Sequence, residues 1–270
     1  MKKVNLLRTL FKGLRMELRA VLFDVGGTIA ESEEIHRLSF NEAFKEFGLS
    51  WYWDEAIYRE LVFVGGGKER IKHYIQRAWP EMLKQKDLTK YILSIHKIKS
   101  QIYEELLNDS ELKPRPGILR LLEELKRSKI RLAVVSDTTE DNLKSLFRKG
   151  LNIDPNQWFE VIAHGGCSDL KKPSPDVYLW ALEELKLPPQ SCIAIEDAPR
   201  GVKSAVSAGL NVIVTPSMYT MVENFQKSLL VVSDLGEPKE PFKVLEGNVF
   251  DHKMVDLRLL KKIHQNFNKK

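Results

Sequence analysis

Two cysteines in 270 residues, Cys167 and Cys192, are too few for a disulfide framework. A chain of this length with 43% hydrophobic residues needs no staples to bury a core. Cys192 falls in an apolar, strand-like run, which fits a reduced, cytoplasmic setting. There is also no apolar run long enough to span a bilayer, no internal repeat and no low-complexity segment. Charge of one sign is not gathered into blocks: the formal net charge of +5 comes from lysines scattered along helical stretches. That pattern argues against nucleic acid as a partner and leaves anionic small molecules open. What remains is one large globular domain, or a domain with an insertion, expected to be a monomer.

Residues 1–17 stand apart. Lys2, Lys3, Arg8, Lys12 and Arg15 are interleaved with Leu6, Leu7, Leu10, Phe11 and Leu14, and no acid precedes Glu17. This is the pattern of a basic amphipathic helix, and it reads as an extension ahead of the folded part. A targeting peptide, which would make the protein organellar, or a membrane-surface helix has the same look.

The chain is organised around Phe23-Asp24-Val25-Gly26-Gly27-Thr28. The apolar run from Ala20 to Phe23 predicts a strand that delivers Asp24 into a glycine-rich turn. There a carboxylate lies beside backbone N–H groups able to approach an anion closely. Taken alone, the same segment reads equally well as a strand-terminating turn. Glu31-Ser32-Glu33-Glu34 opens a helix with Ile35, Leu38, Ala43, Phe44 and Phe47 on one face and Gly48 to stop it. From Trp51 to Asn108 only helices are expected, the longest with Leu88, Tyr91, Ile92, Ile95, Ile98 and Ile102 at three- and four-residue spacing. Gly65-Gly66-Gly67 interrupts this block just before Lys68-Glu69-Arg70, and Pro114 and Pro116 close it.

From Gly117 helices and strands alternate. Leu119 to Ser128 predicts a helix, Arg131 to Ser136 a strand, and Thr138-x-x-Asp141 a capping box. Val161 and Ile162 begin a strand and Pro175 to Leu185 a helix. Cys192 to Ile195, Asn211 to Val214 and Leu229 to Val232 are strands, with a helix from Ala198 to Ala208. Such alternation calls for a parallel sheet with helices on both faces, whose functional groups lie beyond the carboxyl ends of the strands.

The residues at those ends are Asp24, Ser136, the Lys171-Lys172-Pro173 segment and the pair Glu196-Asp197. Phosphoryl transfer needs an in-line nucleophile, donors for the equatorial oxygens and cations against accumulating charge. Asp24, Ser136 with loop amides, and Lys172 supply these in turn. Glu196 and Asp197 suit Mg²⁺, a hard ion that prefers oxygen ligands. Singly, Ser136 reads as a helix cap and the lysine pair as a solvated turn. Two adjacent carboxylates after an apolar strand are harder to place without a partner, because unpaired buried charge is costly.

With these segments in hand, the chain from about Leu18 onward resembles the haloacid dehalogenase-like phosphotransferases, and among them the CbbY-like sugar-phosphate phosphatases. The resemblance is carried by Phe23 to Thr28, Gly66-Gly67-Lys68-Glu69-Arg70-Ile71, Lys172-Pro173-Ser174-Pro175-Asp176-Val177-Tyr178, Ile195-Glu196-Asp197-Ala198 with Gly201, and Tyr219-Thr220. It implies an α/β fold, a Rossmann-like core at 18–32 and 112–270 with a helical cap at 33–111. It implies Mg²⁺ held by Asp24, Gly26, Glu196 and Asp197, and an aspartyl phosphate on Asp24 formed with the help of Ser136 and Lys172. Lys68 and Arg70 of the cap are then expected on the distal part of a small phosphorylated substrate, xylulose 1,5-bisphosphate or a similar sugar phosphate. Gly27, Thr28, His36, Asp137 and Thr138 complete the substrate surface.

One position departs from that pattern. Where the family carries a second aspartate, two residues after the nucleophile, this chain has Gly26. In the family that acid protonates the leaving oxygen and later activates water, assistance that contributes ~10²–10⁴-fold. Glycine keeps the backbone carbonyl for a metal but not the proton transfer. Three readings follow. The first is a phosphatase that is slower or draws on Glu31, Glu33 or His36; the second, a phosphosugar-binding protein with little turnover. The third is carbon–phosphorus cleavage like that of phosphonoacetaldehyde hydrolases, with Lys68 as the Schiff-base lysine.

Overall fold

The computed structural model describes residues 17–267, so the basic pattern at 1–17 lies, apart from Glu17, outside the described residues. In chain order the elements are β1 (Ala20–Phe23), α1 (Glu33–Glu46), α2 (Glu55–Leu61), α3 (Gly67–Ala78), α4 (Leu88–Asn108), α5 (Ile118–Arg127), β2 (Arg131–Val135) and α6 (Glu140–Ser145). There follow β3 (Val161–Ala163), α7 (Asp176–Leu185), β4 (Cys192–Glu196), α8 (Pro199–Ser207), β5 (Asn211–Val214), β6 (Leu230–Val232), β7 (Val244–Gly247) and α9 (Leu257–Phe267).

The strands form one seven-stranded sheet in the order β3-β2-β1-β4-β5-β6-β7, parallel except for β7, which runs antiparallel to β6. β1 is an inner strand, third in that order, pairing Phe23 with Val134 on one side and Ile195 on the other. Its four residues are fully buried and alternate between two cores, because successive side chains point to opposite faces. Val21 and Phe23 join the apolar residues of α5 and α9, while Ala20 and Leu22 join those of α7 and α8. This double cover is why the inner strands read as continuous apolar runs. In α5 the buried positions are Ile118, Leu121, Leu122 and Leu125, the three- and four-residue spacing of a helix with one face on a sheet.

Between β1 and β2, helices α1 to α4 build a separate aromatic core from Phe40, Phe44, Trp51, Trp53, Tyr58, Ile71, Ile75 and Ile95. Tyr219, from the loop after β5, inserts into this cluster edge-on to Tyr58 at 5.3 Å, and its hydroxyl donates to Glu34. The helical insertion is thereby tied back to the sheet.

Several local expectations are corrected. Leu38 is 41% exposed rather than on the buried face of α1, because the inward line also takes polar residues: Arg37 and Asn41 both donate to the Trp53 carbonyl, at 2.9 Å each. The cap of α6 is Thr139, whose hydroxyl accepts from the Asn142 amide at 3.4 Å, one residue later than the predicted box. Beyond the last predicted strand lie β7, an edge strand exposed at all four residues, and α9, which buries Leu259, Leu260 and Ile263.

Candidate active site

The parallel register fixes the centre of the site. The Asp24 amide makes the next ladder bond after β1, to the Ile195 carbonyl at 2.9 Å, and the side chain then emerges at the carboxyl edge of the sheet. Its two oxygens are both held: Thr28 Oγ1 donates to Oδ2 at 3.0 Å, and Lys172 Nζ donates to Oδ1 at 2.7 Å. Lys172, 2% exposed, also donates to Glu196 Oε1 at 2.7 Å and to the Val135 carbonyl at 3.0 Å. Burial works against its charge, but the two carboxylates hold it above the usual lysine range. One ammonium thus bridges the ends of β1, β2 and β4.

Asp24, Glu196 and Asp197 are buried, and an oxygen from each lies within 4.8 Å of the others. Burial pushes Glu196 up to about 7 against the pull of Lys172. Burial, and then repulsion from Asp24 and Glu196, raises Asp197 well above its ordinary value. Three buried carboxylates facing one lysine form an oxygen donor set with excess negative charge, and a hard divalent cation fits it. Gly27 makes the packing possible: at φ +82 a side chain is strained, and a Cβ would fall on the Asp197 carboxylate. Gly26 is different. No such φ constrains it, and a Cβ there would meet only Glu33 Oε1 at 3.3 Å and Ser32 Oγ at 3.4 Å.

Ser136 and Asp137 follow β2. Ser136 is buried, and its hydroxyl accepts from the Thr138 amide at 3.1 Å. Asp137 Oδ1 accepts from the Lys172 amide at 3.2 Å and Oδ2 from Arg200 Nη1 at 2.7 Å, so both oxygens are engaged by the protein. Arg200 also reaches the helical insertion, donating from Nε to the Val62 carbonyl at 3.2 Å.

A cavity of about 280 Å³ separates the sheet edge from the insertion. Asp24, Gly26, Ser136, Asp137, Thr138 and Lys171 line it from below; Glu33, His36, Lys68, Arg70, His96 and Lys99 line it from above. Arg70 is buried and donates from Nη1 to Glu33 Oε2 at 2.8 Å and to the Tyr58 hydroxyl at 2.6 Å. That pairing overcomes burial and holds Glu33 well below the usual carboxylate range. Lys68 has no ion pair or hydrogen bond to the described residues. Lys99, 2% exposed, lies within hydrogen-bonding distance of His36, Nζ to Nδ1 at 2.5 Å, and stands over the Tyr103 ring, 4.4 Å from its centre.

Of the residues expected from the sequence, Asp24, Gly26, His36, Lys68, Arg70, Ser136, Asp137 and Thr138 meet on this one cavity. Lys172, Glu196 and Asp197 form the layer directly beneath. Gly27 and Thr28 do not line the cavity: Gly27 turns the chain and the Thr28 hydroxyl holds Asp24. Lys99, His96 and Arg200 were not expected. The first two carried a signal: together with Ile92, Ile95, Ile102 and Tyr103 they occupy the buried stripe of α4, where a lysine or histidine needs a reason. Arg200, two residues into the α8 turn, carried none.

Comparison with known proteins places these features in a family. The profile of the haloacid dehalogenase-like hydrolases matches residues 21–215. Protein CbbY, plasmid, of Cupriavidus necator is 39% identical over 248 residues, covering 92% of this chain and 97% of its own. Protein CbbY of Cereibacter sphaeroides is 43% identical over 210 residues, covering 77% and 88%. Among solved structures, a CbbY variant from Rhodobacter sphaeroides in complex with xylulose-(1,5)bisphosphate is 41% identical, with a TM-score of 0.74 over 80% of this chain and 94% of that one. The beta-phosphoglucomutase of Clostridium difficile, at 19% identity, shares the fold with a TM-score of 0.73.

Proposed function

This chain belongs to the haloacid dehalogenase-like hydrolase family and is a phosphatase; from that premise we propose that it hydrolyses a small sugar bisphosphate through an aspartyl phosphate on Asp24. One observation carries the reading. Asp24 sits on the floor of a cavity that has a buried cation against the nucleophile, Lys172, and an unpaired cation, Lys68, on the opposite wall. A ligand with anionic groups at both ends fits that charge layout, and xylulose 1,5-bisphosphate, the ligand of the CbbY complex, is such a molecule.

In this reading the hydrogen bonds from Thr28 and Lys172 to its two oxygens align the Asp24 carboxylate for in-line attack on phosphorus. Lys172 and the amides of the turns at 25–28 and 136–138 take up charge on the phosphoryl oxygens. Mg²⁺, held by Asp24, Glu196, Asp197 and the Gly26 carbonyl, would supply further charge neutralisation there. The insertion, taken as 33–111, shields the acyl phosphate from bulk water and presents Lys68 to the distal group. The protein acts as a monomer in the cytoplasm, or in an organelle if residues 1–17 target it.

Phosphate release across a panel of sugar mono- and bisphosphates, with intact-mass detection of phosphorylated Asp24, tests this. Bisphosphates should be preferred and a phosphoprotein should be trapped on quenching. Release without any phosphoprotein, or a preference for monophosphates, contradicts it. Gly26 supports a second reading, a binding protein for the same ligand. Calorimetric binding of Mg²⁺ and xylulose 1,5-bisphosphate with no phosphate release would select it.

A further inference from the structure

A phosphatase of this kind needs a proton for the sugar oxygen that leaves and a base for the water that follows, and Gly26 supplies neither. Three nearby groups, Glu31, Glu33 and His36, could stand in on sequence grounds. Glu31 is turned away, paired to Arg115 Nε at 3.3 Å and absent from the cavity wall. Glu33 Oε1 points toward the place a side chain at Gly26 would occupy, but Glu33 is held ionised by Arg70 and carries no proton to give. His36 remains.

Its ring lies parallel to Tyr103, 4.0 Å between centres and 8° apart, so its orientation is fixed. Nδ1 faces Lys99 Nζ at 2.5 Å, while Nε2 has no partner among the described residues and the ring lines the cavity shared with Asp24 and Gly26. Lys99 is buried on the apolar stripe of α4 with no carboxylate bonded to it among the described residues; there its side chain hydrogen-bonds to His36 alone.

We propose that His36 is the acid and base that replaces the missing side chain at Gly26, with Lys99 as the proton store behind it. The inference rests on the phosphatase reading above. With Lys99 donating to Nδ1, the ring is the Nε2–H tautomer, and its proton sits on the nitrogen that has no partner among the described residues. In the first step an Asp24 oxygen bonds to phosphorus and the bond from phosphorus to the sugar oxygen breaks. The leaving oxygen takes the Nε2 proton, and Lys99 gives a proton to Nδ1. In the second step water attacks phosphorus and the bond to Asp24 breaks. Nε2 takes the water's proton and the Nδ1 proton returns to Lys99, so the pair ends as it began.

The surroundings suit the task. Burial, then the Lys99 charge, keeps His36 well below its ordinary value and neutral. Burial, then Arg70, brings Lys99 down to about 7, so near neutral pH the pair gives and takes one proton readily. The charged and titratable groups facing the pair are Glu33 from α1, Arg70 from α3, and His96 and Tyr103 from α4. Glu33 favours the proton; Arg70 and His96 oppose it.

The experiment compares two probes with the Mg²⁺-loaded full chain: p-nitrophenyl phosphate, whose leaving group needs no proton, and xylulose 1,5-bisphosphate, whose leaving group does. His36→Gln and Lys99→Met should each cost the burst of p-nitrophenol, which reports phosphorylation of Asp24, far less than they cost reaction with the sugar bisphosphate. Both should slow the first phosphorylation by xylulose 1,5-bisphosphate by ~10²–10³-fold. Phosphorylated Asp24 should then accumulate in His36→Gln by intact mass. In the parent, sugar-phosphate turnover should fall as pH rises through neutrality, and Lys99→Met should lose that limb while retaining its melting temperature. Equal losses on both probes would make the pair structural and overturn the proposal, as would unchanged turnover. A parent protein that is phosphorylated by neither probe removes the phosphatase reading and this inference with it, whereas a normal burst with unchanged sugar-phosphate rates removes this inference alone.

Discussion

The two walls of the cavity have opposite electrostatic designs. The sheet edge gathers Asp24, Glu196 and Asp197, with one ammonium, Lys172, bonded to the first two. The helical wall gathers three cations, Lys68, Arg70 and Lys99, against two carboxylates, Glu33 and Glu69, with two histidines beside them. Each wall is incomplete by itself, the lower short of a cation and the upper short of an anion. In the proposed function a divalent metal would complete the first and the distal group of a phosphorylated ligand the second. The walls also differ in how they are held: backbone register places the lower, whereas side-chain pairing across helices places the upper.

Removing the centre of the lower wall should have the largest effect. Asp24→Asn keeps shape and hydrogen bonding while deleting the nucleophile, so kcat should drop on the order of 10⁶-fold, with no phosphoprotein by mass spectrometry. Ligand binding by calorimetry should persist, because the upper wall is untouched. If Asp24→Asn retains turnover, the nucleophile lies elsewhere.

Gly26→Asp tests where the walls meet. An aspartate there faces Glu33 Oε1, 3.3 Å from its Cβ, so the Glu33 carboxylate must shift slightly to admit it, and that neighbouring charge keeps the new acid protonated longer. With His36 in place sugar-phosphate turnover should rise by less than about 10-fold, well short of the ~10²–10⁴-fold expected where acid–base assistance is wholly absent. The gain should be larger in a His36→Gln background, since the two groups would otherwise share one job. Equal gains in both backgrounds would show that they do not.

On the upper wall, Lys68 and Arg70 should separate. Lys68→Ala removes an unpaired cation and should weaken xylulose 1,5-bisphosphate by roughly 10-fold or more, the loss of a charge-assisted hydrogen bond, with inorganic phosphate unaffected. Arg70→Ala strips the buried Glu33 of its partner, at a cost of about 3–5 kcal/mol in stability, so a lowered melting temperature should accompany its binding defect. Identical stability in both variants would argue that the Glu33–Arg70 pair is not structural.

The smallest effect is on stability against pH, and the walls should again oppose each other. Glu196 is raised from 4.5 to about 7 on folding, so its contribution is present below 4.5 and lost as pH rises through 7. Lys99 is lowered from 10.5 to about 7, so between those values the unfolded chain binds the extra proton and stability rises with pH. Scanning calorimetry should show a shallow minimum near neutrality, of about 2–4 °C in melting temperature. Mg²⁺ should flatten the acidic side and Lys99→Met the alkaline side. A profile unaltered by either would contradict the assigned origins.

The lower wall was legible in the sequence because a parallel sheet leaves little freedom. Apolar runs mark the strands, and the residue after each run must emerge at the carboxyl edge, so Asp24, Ser136 and Glu196 follow from counting. The α9 helix could have been read the same way, since Leu257, Leu260 and Ile263 repeat at helical spacing; β7, fully exposed, has no core to impose a pattern. The upper wall was legible only as composition. Sequence marked Lys68 and Arg70 as cations after a glycine turn, but which one is free depends on Glu33, 37 residues from Arg70, reaching across from another helix. The pairing of His36 with Lys99 spans 63 residues, and the bridge from Arg200 to Asp137 another 63. By itself the sequence determined the strand order's edge chemistry and the absence of an acid at Gly26. Which cations are spent, which stay available, and what stands beside Gly26 were decided by tertiary packing, because charge pairing between helices depends on distances that periodicity along a chain does not encode.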